Sequence, residues 1–256
     1  MRILIKLGGT LLDEPGSRRR LAAEIAAAAR AHPETVVVHG GGKQMTRFLA
    51  ERGVESRFVN GLRVTTPEVV DAVLKVFAGS VNHELVAALV AVGAKAVGLS
   101  GIDALLTEAE PWSPELGAVG KPVRTNPELL AVLTGAKFLP VVACVAGDRL
   151  GNIYNVNGDQ MAAACAAGFA VDRLLYLTDV AGVMDAAKAV IPVLSRAASA
   201  KLIAGGVATG GMQAKLEAAQ RALDGGVSEV HIAPGAETNV IARLLAGEAI
   251  GTRLTP

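Results

Sequence analysis

The chain has 256 residues, a formal charge of +1 from 25 basic and 24 acidic side chains, and a composition that is 51% hydrophobic but only 3% aromatic. That length fits one large or two modest domains with a real core. The charge is spread along the sequence and gives no footprint for DNA, RNA or an anionic membrane, and so few aromatics leave no stacking platform for single-stranded nucleic acid.

The chain opens on a strand-like Ile3-Leu4-Ile5 with no signal-peptide pattern, and its apolar runs read as too short for a membrane span, so a cytoplasmic protein is expected. A strand is predicted from Ile3 to Leu7 and a helix from Ser17 to Ala31, whose Arg18-Arg19-Arg20 reads as a solvated start. A strand follows from Thr35 to His39, and a helix after Gly40-Gly41-Gly42. Helices are predicted near Pro67 to Gly79 and Val81 to Val92, then a strand near Lys95 to Leu99. The stretch from Ala104 to Arg124, with Pro111, Pro114, Gly117, Gly120 and the sole tryptophan Trp112, reads as a hairpin excursion from the sheet. A helix from Asn126 and strands at Phe138 to Val142 and Leu174 to Thr178 come next. Strands near Glu229 and Ile250 and helices near Ser195, Gly211 and Thr238 complete the chain. β-branched runs alternating with helical patterns predict parallel βαβ units. A soft boundary falls near Phe169, without a linker, so residues 1–169 and 170–256 are expected to share a sheet or a tight interface. Cys144 and Cys165, each among small apolar residues and without metal-ligand spacing, are expected as buried thiols, and no metal site is expected.

Two glycine turns close the first two strands: Lys6-Leu7-Gly8-Gly9, and His39-Gly40-Gly41-Gly42. Bare amides at the carboxyl ends of parallel strands suit a phosphate cradle. Neither turn has the G-x-x-x-x-G-K-[ST] or G-x-G-x-x-G spacing, so P-loop and Rossmann assignments lose support. Lys6 reaches the same rim, and Lys215 follows Thr209-Gly210-Gly211-Met212 at a second glycine-rich helix start. Two ammonium groups with Mg²⁺ would supply the positive charge that phosphoryl transfer needs. Asp159, in Asn155-Val156-Asn157-Gly158-Asp159, reads either as a first-turn aspartate or as the acceptor that fixes both lysines. Arg63, in Asn60-Gly61-Leu62-Arg63-Val64-Thr65, offers a planar fork that fits a carboxylate.

In these motifs, together with VGLSG ending at Gly101, LTDVAGV and GGMQAKLEAA, the chain resembles the amino acid kinase family, and within it the branch acting on N-acetylglutamate. The resemblance covers nearly the whole chain, and NGLRVT is the piece that marks the branch. It implies a three-layer α/β/α sandwich with a mainly parallel central sheet and two lobes, residues 1–169 binding the acyl amino acid and dimerising, residues 170–256 binding ATP. It implies phosphorylation of the side-chain carboxylate of N-acetyl-L-glutamate, a step of arginine biosynthesis, with ATP as co-substrate and Mg²⁺ carried by its phosphates. Lys6 and Lys215 match the family's transition-state lysines, and Asp159 the aspartate that organises them. Gly41, Gly42, Arg63 and Asn155 match substrate-binding residues, and Gly8 and Gly9 match backbone donors around the phosphates. Asp179, Val180, Ala181, Gly182, Val183, Met184, Val207, Ala208 and Thr209 match the nucleotide pocket.

A side-chain carboxylate, with a reference pKa of about 4.3, is already ionised and needs no general base. His32, His39, His83 and His231 therefore need no catalytic role. The chain departs from the family at Ile102-Asp103-Ala104, where a second glycine is usual, at Gly158, where alanine is usual, and in a short Met184–Pro192 stretch beside the nucleotide. The resemblance further implies a homodimer, with the Pro67–Gly79 helix as an interface element, and no arginine feedback. The residues leave open a sister kinase acting on a carrier-linked aminoadipate or glutamate or on N-succinylglutamate, and, more remotely, a non-enzymatic ligand sensor.

Overall fold

The computed structural model describes all 256 residues. In chain order the elements are β1 (Ile3–Leu7), α1 (Pro15–Ala31), β2 (Thr35–His39), α2 (Gly42–Ala50), β3 (Phe58–Val59), β4 (Leu62–Arg63), α3 (Pro67–Val73), α4 (Asn82–Ala91), β5 (Ala96–Ser100), β6 (Thr107–Pro111), β7 (Val119–Thr125) and α5 (Glu128–Gly135). They continue with β8 (Leu139–Ala143), β9 (Val145–Gly147), β10 (Ile153–Val156), α6 (Gly158–Gly168), β11 (Arg173–Thr178), β12 (Val193–Ser195), α7 (Arg196–Ala204), α8 (Gly210–Asp224), β13 (Glu229–Pro234), α9 (Val240–Leu245) and β14 (Thr252–Thr255).

Eight strands form one sheet in the order β12-β14-β13-β11-β1-β2-β8-β5, parallel throughout except where β14 meets β13. Every residue of β1, β2 and β8 is buried, which is why these strands appear in the sequence as unbroken runs rather than as an alternation. β1 pairs with β2 on one side and β11 on the other, so a single sheet runs through both halves of the chain. Helices pack around it in two groups, α1 with α4 and α9, and α6 with α8 and β1.

Three features differ from the sequence expectation. The predicted hairpin is half of a closed four-stranded barrel, β10-β7-β6-β9, because β9 continues directly from β8 and turns back through β10. The two helices predicted on either side of Ser80 are one: a π-helical stretch, Leu74–Val81, joins α3 to α4 without a break. The merged helix, Pro67–Ala91, has a mean hydropathy of 1.4 over 18 residues, so by length and composition it could cross a membrane, contrary to the reading of short apolar runs. Here its stripe of Val69, Val73, Val76, Phe77, Leu85 and Leu89 lies in the core. Third, β12 is a short added edge strand that no sequence pattern announced.

The carboxyl end of β2 is fixed by a buried polar network. Asn82, on the merged helix, donates to His39 Nε2 at 2.9 Å and to the carbonyl of Val141 on β8 at 3.0 Å. His39 Nδ1 therefore carries the proton and donates to Gly40 O at 3.0 Å. Cys144 donates to His39 O at 2.8 Å. Burial pushes the His39 imidazole down to about 4, against the smaller upward pull of the Gly40 carbonyl. The folded state thus binds this proton more weakly than the unfolded chain, whose histidine titrates near 6.5, so stability is full above that pH and falls as pH drops towards 4. The loss expected from His39 is about 3 kcal/mol. Urea unfolding at stepped pH should show it in the native chain and not in His39→Gln; parallel curves for the two would exclude the assignment.

Candidate active site

Three buried charges meet where β1, α6 and α8 converge. Lys6 Nζ lies 2.6 Å from Asp159 Oδ1, and Lys215 Nζ lies 2.8 Å from Asp159 Oδ2. Each of the three residues is only 8% exposed. The Lys215 contact is also a hydrogen bond, whereas the Lys6 contact has ion-pair distance without hydrogen-bond alignment. Burial alone would push the Asp159 carboxyl up, but the two ammonium groups more than offset this and hold it well below the usual carboxylate range. Burial and the charge of Lys6 lower the pKa of Lys215, and Asp159 opposes them.

Local structure explains the convergence. Asn157 caps α6, its Oδ1 accepting from the amides of Asp159 and Gln160, so Asp159 lies in the first helical turn rather than at the cap. Lys215 lies early in α8, which starts at Gly210 in a left-handed backbone conformation, φ +55°. Tyr176, beside Lys6 in the β1–β11 register, donates its hydroxyl to Asp159 O at 2.9 Å and sets its ring 5.4 Å from Lys215 Nζ.

The two glycine turns touch. A Cβ on Gly9 would lie 2.9 Å from Gly42 N and 3.1 Å from Gly41 Cα, and one on Gly41 would lie 2.9 Å from the Phe77 ring. Bare backbone is therefore a steric requirement at this junction. Next to it opens a cavity of about 210 Å³ whose lining gathers Lys6, Gly9, Gly41, Gly42, Arg63 and Asn155, together with Asp159. Gly8 and Lys215 stand just behind this wall, Gly8 bonded to Leu177 O and Lys215 to Asp159.

Arg63 is 9% exposed, and its guanidinium carbon lies 4.6 Å from the centre of the Phe58 ring. Burial lowers its pKa, yet a guanidinium stays charged at any physiological pH. Asn155 Nδ2 donates to Thr65 Oγ1 at 3.0 Å, and Thr65 Oγ1 donates to Arg63 O at 2.9 Å, so the two predicted substrate residues share one buried threonine. Sequence reasoning gave no place at the site to Thr65, quoted only as the end of its motif, or to Cys144, read only as a buried thiol, and passed over Tyr176, Phe58 and Phe77. Thr65 ends NGLRVT and Phe58 stands two residues before it, close enough to have been noticed, but nothing in the sequence links Tyr176, Phe77 or Cys144 to the rim.

The predicted nucleotide segments lie beyond the carboxyl end of β11 and just before α8. Val183 and Ala208 are buried in the core, so they can shape a pocket only through backbone, while Met184 and Val207 are 41% and 40% exposed. Asp179 accepts from Thr178 Oγ1 at 3.1 Å. The short stretch after Met184 is a tight turn in which Met184 pairs with Val190 and Asp185 caps the amides of Ala187 and Ala189. No group of three or more His, Cys, Asp or Glu side chains is placed to hold a metal ion.

Comparison with known proteins places this geometry in a family. The model of the amino acid kinase family matches residues 1–234. An acetylglutamate kinase of Solibacter usitatus (strain Ellin6076) is 64% identical over 254 residues, 99% of both chains. One from Koribacter versatilis (strain Ellin345) is 40% identical over 257 residues, 99% of this chain and 98% of its own. Among solved structures, N-acetylglutamate synthase from Neisseria gonorrhoeae, complexed with coenzyme A and N-acetyl-glutamate, superposes with a TM-score of 0.88 at 25% identity. That match covers 100% of this chain and 59% of the longer synthase chain.

Proposed function

Since the chain belongs to the amino acid kinase family and is a phosphotransferase, we propose that it moves the γ-phosphoryl group of ATP onto the side-chain carboxylate of N-acetyl-L-glutamate, a step of arginine biosynthesis. The observation that supports this reading is a single cavity walled by Arg63, whose guanidinium suits a carboxylate, and by the Lys6–Asp159 pair that leads to Lys215.

The acceptor carboxylate is ionised at neutral pH, so no proton has to be removed before attack. The buried groups agree with that: His39 is neutral, and burial pushes the Cys144 thiol up to about 12 and the Cys165 thiol up to about 11. None of them is poised as a base or nucleophile. The difficulty is to bring two anions together, and their repulsion is relieved by preorganised positive charge. Lys6 and Lys215 against one Asp159 leave a net charge of +1 at fixed positions, beside the glycine amides and the N-terminus of α8. Arg63 and Asn155 then hold the α-carboxylate end and turn the side-chain carboxylate towards the lysines.

ATP is taken on the other side, between Gly8 and Gly9 and the segments Asp179–Met184 and Val207–Thr209, where the strand ends and a helix start converge. The exposed Met184 and Val207 offer apolar surface to the base. Both oxygens of Asp159 face lysines, so Mg²⁺ would be held by the nucleotide phosphates, where it supplies further charge neutralisation. Residues 1–169 act as the substrate lobe and 170–256 as the nucleotide lobe. A cytoplasmic homodimer through the Pro67–Gly79 helix, where Val70 is only half-buried, as are Leu74 and Ala78 at the edge of the core, belongs to the same reading.

Turnover with ATP and Mg²⁺, trapped as hydroxamate by hydroxylamine, should occur with N-acetyl-L-glutamate and not with glutamate, N-acetylaminoadipate or N-succinylglutamate; no hydroxamate from any of them would sink the reading. Lys6→Ala or Lys215→Ala should lower kcat about a hundredfold or more while changing nucleotide affinity far less, and near-normal turnover would contradict the assigned roles. Arg63→Ala should raise KM for N-acetyl-L-glutamate by roughly 10- to 150-fold, the worth of a charge-assisted bond of about 1.5 to 3 kcal/mol. An unchanged KM would remove the free α-carboxylate from the reading. A monomeric mass by sedimentation equilibrium would exclude the dimer.

A further inference from the structure

The Arg63 guanidinium does not stand free in its cavity. Its Nη1 donates to Ser56 Oγ, and its Nη2 donates to Thr46 Oγ1 at 2.8 Å and to Gly42 O at 3.2 Å. Thr46 in turn donates its hydroxyl proton to Gly42 O at 2.9 Å, so threonine, arginine and the first carbonyl of α2 form a closed triangle. Phe58 lies against the guanidinium from β3. The backbone of Arg63 is fixed separately, through Thr65 and Asn155. What stays unpaired is Nε–H and the second Nη1 proton.

This arrangement solves a definite problem. Arg63 lies on a two-residue strand paired only with another two-residue strand, β3, in a small sheet separate from the main one. Such a ribbon has almost no rigidity of its own. An arginine on it would have to order a long, flexible side chain each time it bound an anion, at a cost in rotamer entropy. Thr46 sits on α2, one turn after Gly42, and α2 begins at the glycine turn that also borders Lys6. Tying Nη2 to that helix therefore places the substrate-binding charge in the same rigid frame as the lysines.

From this we infer that Thr46 and Ser56 are positioning residues that set the affinity for the α-carboxylate by holding Arg63 in its binding geometry before substrate arrives. The inference rests on the reading above, in which Arg63 takes that carboxylate. Neither residue touches the reacting groups; both act through the guanidinium.

The test uses steady-state kinetics with two acceptors, N-acetyl-L-glutamate and N-acetyl-4-aminobutyrate, the second of which keeps the reacting carboxylate and lacks the α-carboxylate. Thr46 is exposed, so Thr46→Val removes only the hydroxyl, and Thr46→Ser restores it. Thr46→Val should raise KM for N-acetyl-L-glutamate about three- to tenfold, the size of one hydrogen bond, with kcat within about twofold. Thr46→Ser should recover the native KM. The effect should vanish with N-acetyl-4-aminobutyrate and on an Arg63→Met background, and Ser56→Ala should give a smaller shift of the same pattern. A native KM in Thr46→Val, equal losses with both acceptors, or a persisting loss on the Arg63→Met background would overturn the inference. If the native chain turns over and Thr46→Val matches it, only this inference fails; if the native chain turns over neither acceptor, the functional reading itself fails.

Discussion

Two buried ammonium groups held by one buried carboxylate are the constraint around which this molecule is organised. Removing three charges from water costs several kcal/mol for each, and Coulomb attraction offsets that only when the partners are in contact. Lys6, Asp159 and Lys215 are contributed by a strand and two helices that are distant in sequence, with 56 positions separating the last two. The native topology brings all three together out of water. β1 lies inside the sheet, α6 packs on β1, and α8 packs on α6, which is the arrangement this contact requires. Tyr176 completes it from the neighbouring strand. Without Asp159 two like charges would face one another in a region of low dielectric, so the carboxylate is what lets both lysines be buried together.

The second constraint is volume. Two turns meet around one point, and side chains there would keep them apart. Gly9 against Gly41 and Gly42 removes that obstacle, while Phe77 and Val81 press on Gly41 from the π-helical stretch. The Asn82–His39–Gly40 network then fixes the carbonyl side of the same turn, so the amide side can face the cavity. Packing and polar bonding thus orient one short piece of backbone from opposite directions.

Much of this was legible in the sequence because the controlling features are local. Strands β1, β2 and β8 are fully buried, so their residues are apolar without interruption, and the glycine turns that end β1 and β2 sit directly beside them. Lys6, Asp159, Lys215 and Arg63 each stand in a recognisable setting. The features that were not legible depend on distance or on weak local codes. β9 has three residues and no turn signal separating it from β8, so the barrel was visible only as a hairpin. Gly79 and Ser80 read as the end of a helix, but a π-helical turn carries through them, and wider hydrogen bonding leaves no residue signature. Val183 and Ala208 stand in the predicted nucleotide motifs, yet their side chains serve the core.

The departures from the family pattern follow the same physical logic. At Gly101 a Cβ would lie 2.6 Å from Val145 O and 3.0 Å from Met161 Cε, so glycine is required there by space. Ala104 replaces the second glycine of that turn and keeps a left-handed conformation, φ +49°, as does Leu105 at +53°. Such a conformation costs an L-residue about 1 kcal/mol, a modest strain that neighbouring bonds can hold. Asp103 supplies them, accepting from Ser100 N at 2.6 Å and from Ser100 Oγ at 2.9 Å, and Asn126 reaches Ala104 O at 3.3 Å. A glycine needed for conformation can be replaced at a small cost; one needed for space cannot. Gly158 is the reverse case, where the usual methyl group is missing. A Cβ there would lie 3.3 Å from both Cys144 Sγ and Lys6 Cε, so its absence leaves room for the Lys6 stem beside a thiol already committed to His39 O. Both departures adjust backbone and volume around the charged groups and leave the charges in place.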